Sequence, residues 1–283
     1  MVNDVQMPDW AEDFRAGDDV FAGAWEEVGA QDRALLKTAI AFQFHLWGMR
    51  DHRETRERSA PREGFRTVFR SMPAPWVLAV LAPGYASPAR LLSAIVPAVL
   101  AGTRPAVVCL SDPPASIAAA LELAGADDLF VMDGDGAGKL LGELCAAREE
   151  GRLALFPWIG DGREKAGPDQ ALLPGPPPER RRGVRTWRDI PRPSVILRPC
   201  ATEEGSRELE RRLRLLHPDA VLKETAEGAA DAVFNAQDHR PADDTACLRL
   251  NIDMEACWTG PSPEFFRVRR CDAFLTPEVE DNG

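Results

Sequence analysis

Nothing in this sequence is long and apolar enough to cross a membrane. The longest apolar stretch, Leu91–Ala101, contains Pro97 and falls well short of the roughly 20 residues a bilayer requires. The N-terminus is acidic and lacks the apolar run of a secretory signal, so a cytoplasmic protein with reduced thiols is expected. Of the six cysteines, none are spaced as C-x-x-C. The four histidines, His45, His52, His217 and His239, form no i, i+4 or H-E-x-x-H pair, so no metal site is expected. Lysine is scarce, with 4 against 30 arginines. Because alanine is also abundant, the arginine excess reads as compositional bias and carries no chemistry by itself.

The chain has 283 residues, enough for one large domain or two small ones. Its net charge of −11 argues against a general nucleic-acid binder, which must neutralise phosphates. The charge is uneven. From Met1 to Ala30 acids dominate and Arg15 is the single base, whereas Arg50–Arg70 carries seven arginines and Glu179–Arg192 carries six. Such basic stretches suit solvated faces or loops, or an anion or acidic partner.

Residues 1–75 read as a helical region, with a thick apolar set over Asp32–Trp47 that places His45 in a packed core. The pattern then changes. Trp76–Ala82 is a continuous apolar run of the kind that forms a strand buried on both faces. A turn at Pro83-Gly84-Tyr85-Ala86 follows, with Ser87 as N-cap and Pro88 at the first helical position. The helix over Leu91–Leu100 is apolar almost all round and closes at Gly102. Ala106–Leu110, Leu129–Met132 and Leu153–Trp158 are further strands. Between them lie a helix capped by Asp112 and ended by Gly125, and a helix over Ala137–Glu149. Alternation at this spacing means right-handed βαβ crossovers and a parallel sheet. Gly167–Pro193, rich in proline and holding Arg180-Arg181-Arg182, reads as a surface loop. Beyond it Ser194–Arg198, Asp231–Asn235 and Cys247–Ile252 are strands, and Thr202 caps a helix through Leu216. The fold expected is therefore α/β: a Rossmann-like half over 76–165, a Pro/Arg-rich loop over 166–193, and a C-terminal α/β part over 194–283 completing the same fold.

The segment Val77–Pro114 resembles the first βαβ unit of aldehyde dehydrogenase-like proteins and is most similar to histidinol dehydrogenases. The likeness rests on Pro83-Gly84, Pro97-Ala98 and Ala101-Gly102. Pro97 is informative, because a proline deep in an apolar helix removes a hydrogen bond. Ile117–Gly136 and Glu208–Asn235 extend the resemblance over about half the chain. It implies a parallel sheet with helices on both faces, and NAD or NADP as cofactor. There are departures. The catalytic domain that the family inserts after the first nucleotide-binding half is missing or cut to a loop. The family's Gly-Pro-Gly-Asn turn is replaced by Trp158-Ile159-Gly160-Asp161-Gly162. Neither a zinc site nor a Glu-His acid–base pair can be placed.

A dinucleotide needs exposed backbone N–H groups, small residues and a helix N-terminus behind them. Pro83, Gly84 and Tyr85 supply one such turn, without G-x-G-x-x-G. Asp112 stands where an acid would accept hydrogen bonds from ribose hydroxyls, and it could equally cap the next helix. Asp133, Gly134 and Gly136 form a second glycine turn, which either passes close to a cofactor or simply joins strand to helix. The stretch Gly134–Lys139 is not a P-loop: its glycines are one residue too close, and Leu140 replaces the magnesium-binding hydroxyl. Asp238-His239 with Asp243-Asp244 reads as a solvated turn. Cys109 is expected to be inert packing, and Cys257 is a nucleophile without a visible base. No catalytic residue can be named. The two readings are an NAD(P)-linked oxidoreductase acting on an unknown alcohol or aldehyde, and a catalytically inactive descendant serving as a binding or regulatory protein. The expected partners are a nucleotide or small-molecule substrate and further copies in a homo-oligomer, with no membrane and no nucleic acid.

Overall fold

The computed structural model describes residues 7–48, 55–62, 65–147, 150–157, 183–190, 193–198, 202–223, 232–235, 248–251 and 258–275. Three helices come first: α1 (Asp9–Glu12), α2 (Asp18–Glu27) and α3 (Ala30–Trp47). Two strands follow, β1 (Thr55–Arg62) and β2 (Phe65–Pro73), then β3 (Val77–Leu81), α4 (Pro88–Leu100), β4 (Ala106–Cys109), α5 (Ala115–Leu123), β5 (Leu129–Val131), α6 (Gly134–Ala147) and β6 (Arg152–Phe156). The remainder is β7 (Arg185–Arg188), β8 (Ser194–Arg198), α7 (Glu203–Leu216), β9 (Val221–Lys223), β10 (Ala232–Asn235), β11 (Leu248–Asn251), a 3-10 turn at Pro263–Phe266, and β12 (Arg267–Leu275).

The central sheet has the order β5-β4-β3-β6-β7 and is parallel throughout. β3, β4 and β6 are buried on both faces because helices cover both faces, whereas β7 is a polar edge strand. Val77, Ala79 and Leu81 face a core shared with α3, α4 and α5, while Leu78 and Val80 face a second core built on Ala11 and α6. α4 is the axis of the first core: of its thirteen residues only Val99 escapes burial. It accommodates Pro97, whose missing N–H leaves the Ser93 carbonyl without its usual helical partner. The chain packs closely against that carbonyl at Gly260, where a Cβ would lie 2.4 Å from Ser93 O. Gly102 and Gly125 take positive φ values of 86° and 68° after their helices, as expected of glycine C-terminal stops.

The structure departs from expectation in four places. Residues 1–75 are helical only to Trp47; β1 and β2 then form an antiparallel hairpin, and β12 adds to β2 as a third strand. β7 completes the central sheet from within the stretch read as a loop. The C-terminal part does not extend that sheet but builds a second parallel one, β11-β10-β8-β9, whose helix α7 packs on α4 and α3. His45 is exposed on α3, and Gln43 is the buried polar residue there, donating to the Trp258 carbonyl at 2.6 Å.

Two buried arginines tie the C-terminal segment to the base of the central sheet. Arg152 donates to the carbonyls of Gly151, Phe265 and Arg267. Arg267 donates to Ser71 and to the Ala101 carbonyl. At the opposite edge, residues 14–16 run beside β5: the Ala16 N–H donates to Leu129 O at 2.8 Å, and the Val131 N–H donates to Phe14 O at 2.9 Å.

Candidate functional site

In an open parallel sheet, ligands bind beyond the carboxyl ends of the strands, where the strand order reverses. Here that point lies between β3 and β6. The residues expected to bind a cofactor divide there into an exposed rim and a buried centre.

The rim follows β3, β4 and β5. Pro83 and Gly84 are exposed, and Gly84 has φ 77°, a left-handed conformation that favours glycine. Its N–H donates to Ser111 Oγ at 3.3 Å, which joins the turn after β3 to the end of β4. Asp112 beside it is exposed. It does not cap α5, whose N-cap position is Pro114 with no side-chain cap. Asp133 does act as a cap, accepting the Gly136 N–H at 2.8 Å. Gly134 and Gly136 therefore belong to the first turn of α6 rather than to a free glycine loop. A Cβ on Gly136 would lie 3.3 Å from Asp133 Oδ1 and from Met132 Sδ, so the glycine serves the packing of that turn.

Tyr85 turns inward instead. It is 1% exposed, stacks edge-on against Phe156 at 5.3 Å, and donates to Asp189 Oδ2 at 3.1 Å. Phe156 in turn meets Trp187 at 5.5 Å. This aromatic stack packs beyond β3 and against the end of β6. Beneath it, Arg90 on α4 has its Nε 2.9 Å from Asp189 Oδ2, while its Nη2 lies 2.5 Å from Asp219 Oδ2. The three side chains are almost completely buried. Arg90 Nη1, Asp189 Oδ1 and Asp219 Oδ1 make no hydrogen bond, which leaves the cluster incompletely satisfied. Desolvation pushes the Asp189 carboxyl up to about 6, against the pull of Arg90. Desolvation also opposes the charge on Arg90, but Tyr85, Asp189 and Asp219 around it outweigh that effect and hold it protonated. Burial, reinforced by the charge of Asp189, pushes the Tyr85 phenol up.

A second polar group adjoins through α4. Ser87 occupies the N-cap position but makes no capping bond; its hydroxyl donates to the Leu216 carbonyl at 2.8 Å. His217 Nδ1 is 3.4 Å from that hydroxyl, and the His217 ring lies 5.3 Å from the Trp258 ring. A serine whose proton is given to a carbonyl, with both partners sealed from solvent, is a structural fastening rather than a nucleophile and base. Cys109 is buried and desolvation pushes its thiol up to about 12, which makes it inert. Cys257, Asp238, His239, Asp243, Asp244 and the Trp158–Gly162 turn lie outside the described residues. Among the described residues, no group of three or more His, Cys, Asp or Glu side chains is placed to hold a metal.

Arg90, Asp189 and Asp219 were not singled out from the sequence. A signal for Arg90 was present, since a lone charge inside a helix read as buried must have a partner. Nothing local pointed to its partners, which lie 99 and 129 residues further on.

No protein-family model and no curated protein matches this sequence. Solved structures do match in fold. Histidinol dehydrogenase from Elizabethkingia anophelis superposes with a TM-score of 0.55 at 12% identity, over 93% of this chain and 77% of that one. An apo indole-3-acetaldehyde dehydrogenase matches over 94% and 86% of the two chains, with a TM-score of 0.39 and 12% identity. Lactaldehyde dehydrogenase from Escherichia coli matches 77% of this chain and 46% of its own, with a TM-score of 0.34 and 15% identity. The chain thus has a Rossmann-like α/β fold similar to that of histidinol dehydrogenase.

Proposed function

We propose that this protein binds NAD or NADP through the adenosine diphosphate half and is a catalytically inactive descendant of a dehydrogenase-like fold, acting as a binding or regulatory protein. The rim fits that half of the cofactor. Pro83 and Gly84 offer an exposed turn at the N-terminus of α4 for phosphate, and the exposed carboxylate of Asp112 suits ribose hydroxyls. Asp133, Gly134 and Gly136 border the rim, with Asp133 already engaged at the start of α6. The observation that carries the reading is Tyr85. Together with Phe156 it packs beyond β3 and against the end of β6, where a nicotinamide would cross, and its hydroxyl is held by Asp189.

The second reading is an NAD(P)-linked oxidoreductase acting on an alcohol or aldehyde. The intact first βαβ unit, with its exposed Pro83-Gly84 turn, favours it. The bound dinucleotide would supply the hydride acceptor, and this chain's part would be to orient it on the rim.

Calorimetric titration with NAD, NADP and ADP-ribose separates the readings, with absorbance at 340 nm followed over a panel of alcohols and aldehydes. The proposal expects NAD and ADP-ribose to bind about equally. It also expects Asp112→Ala to weaken both by roughly tenfold, the worth of one charged hydrogen bond, with no change at 340 nm. Turnover, with NAD much tighter than ADP-ribose, would establish the second reading. No heat at millimolar ligand, with an unchanged melting temperature, would sink both.

A further inference from the structure

Among the described residues of the arginine-rich stretch Arg50–Arg70, none belongs to the nucleotide rim. The strands turn part of it into a face. In the antiparallel register Arg56 stands opposite Arg70, and Arg70 opposite Arg270. Residues directly across from one another share a face of the sheet, so three arginines form one cross-strand row. Arg58 lies two residues along β1 on the same side. Like charges so placed destabilise a sheet, and acidic side chains offset the repulsion. Arg70 Nε is 3.5 Å from Asp272 Oδ2 but makes no hydrogen bond. Arg270 Nη2 is 2.6 Å from Glu150 Oε2. Arg56, Arg58 and Arg270 are exposed.

The same chain carries a surface of opposite sign. On and beside α1 and α2, Asp9, Asp13, Asp18, Asp19, Glu26 and Glu27 are all exposed, and none of the six is ion-paired among the described residues. These helices flank β5 and α5, whereas the arginine row stands on the separate three-stranded sheet. No hydrogen bond or ion pair joins the two surfaces among the described residues.

We propose that the arginine face of one copy docks on the acidic α1–α2 surface of a second copy. Charge complementarity selects this occupant. The net charge of −11 disfavours nucleic acid on the same face, while each copy offers both halves of a matched pair. Because the two surfaces differ, the contact is head-to-tail, and it closes into a ring or continues as a filament. Between exposed charges such a contact weakens as salt shortens the reach of each charge from about 30 Å at 0.01 M to about 3 Å at 1 M.

The test is the mass in solution, by light scattering after gel filtration at low and high salt. The wild type is expected above the monomer mass at low salt and at the monomer mass at high salt. Two variants reverse one surface each: Arg56→Glu with Arg58→Glu, and Glu26→Lys with Glu27→Lys. Each alone is expected to be monomeric at low salt, and an equimolar mixture to regain the wild-type mass. Recovery in the mixture also demonstrates that both variants are folded. A wild type that is monomeric at low salt, an assembly indifferent to salt, or a mixture that stays monomeric would overturn the proposal. So would a fluorescent DNA duplex that binds the wild type, loses its affinity for the arginine variant, and leaves self-association unchanged.

Discussion

Arg90 sits where a side chain of its kind is costly: inside an apolar helix, without water, between two carboxylates that come from different sheets. Removing one member of a buried ion pair strands the other, at a cost of about 3–5 kcal/mol. Asp189 bears the strain of this arrangement, because desolvation raises its carboxyl from the ordinary 3.8 to about 6. A carboxyl whose affinity for protons rises on folding stabilises the folded state below its unfolded value and loses that contribution as pH climbs through the folded value. The window is therefore pH 4 to 6, and the full span is on the order of 2–3 kcal/mol. Asp189→Asn keeps an oxygen for the Tyr85 hydroxyl and removes the titration. Relative to wild type, the variant should gain stability between pH 4.5 and pH 7.5 in chemical denaturation. An equal difference at the two pH values would show that Asp189 does not titrate in that window.

At the scale of elements, what could be read from the chain depended on whether an element's burial was written in its own residues. β3, β4 and β6 are covered on both faces, so each appears as an unbroken apolar run. Gly102 and Gly125 stop their helices because the backbone there turns left-handed. β1 and β2 escaped notice for a physical reason: a strand whose one face carries arginines has no apolar alternation, and its third partner, β12, is about 200 residues away. β7 hid similarly among prolines and arginines. On the rim, Gly84 forms the turn the pattern put there, whereas Asp112 does not take the capping position read for it. Tyr85 turns inward, since only the tertiary partners Phe156 and Asp189 decide which way it points. The N-terminal segment is another element whose role is tertiary. Residues 14–16 cover the edge of β5, and Trp10 reaches Glu143 on α6 at 3.0 Å. An uncovered strand edge is a template for pairing with other chains. A chain lacking residues 1–16 should therefore aggregate several-fold faster on warming, as followed by light scattering; an unchanged rate would mean the edge needs no cover.

In the whole molecule, two parallel sheets share α4 as their common wall. α7 and the turn after it are joined to that wall by Asp219 on Arg90 and by Ser87 on the Leu216 carbonyl, and to α3 by Arg211 on Asp32 at 2.7 Å. Asp219→Ala removes the ion pair among these joints whose side chains are both buried. Scanning calorimetry should then show the single cooperative transition of the wild type broaden or split, with the second sheet melting first. A variant that melts lower but as sharply would place the coupling elsewhere.

The pairing of β12 with β2 also has a consequence for the order of events as the chain is made. The hairpin of β1 and β2 leaves the ribosome about 200 residues before the strand that completes its sheet. Arg267 cannot reach Ser71 and the Ala101 carbonyl until that strand is made. The βαβ unit around β3 and β4, whose contacts are local, can form long before. Until β12 is made, the nascent protein thus holds a folded βαβ unit beside a two-stranded ribbon with an open edge. Closure of the three-stranded sheet waits for β12, so a message truncated near residue 260 would yield a chain unable to complete it.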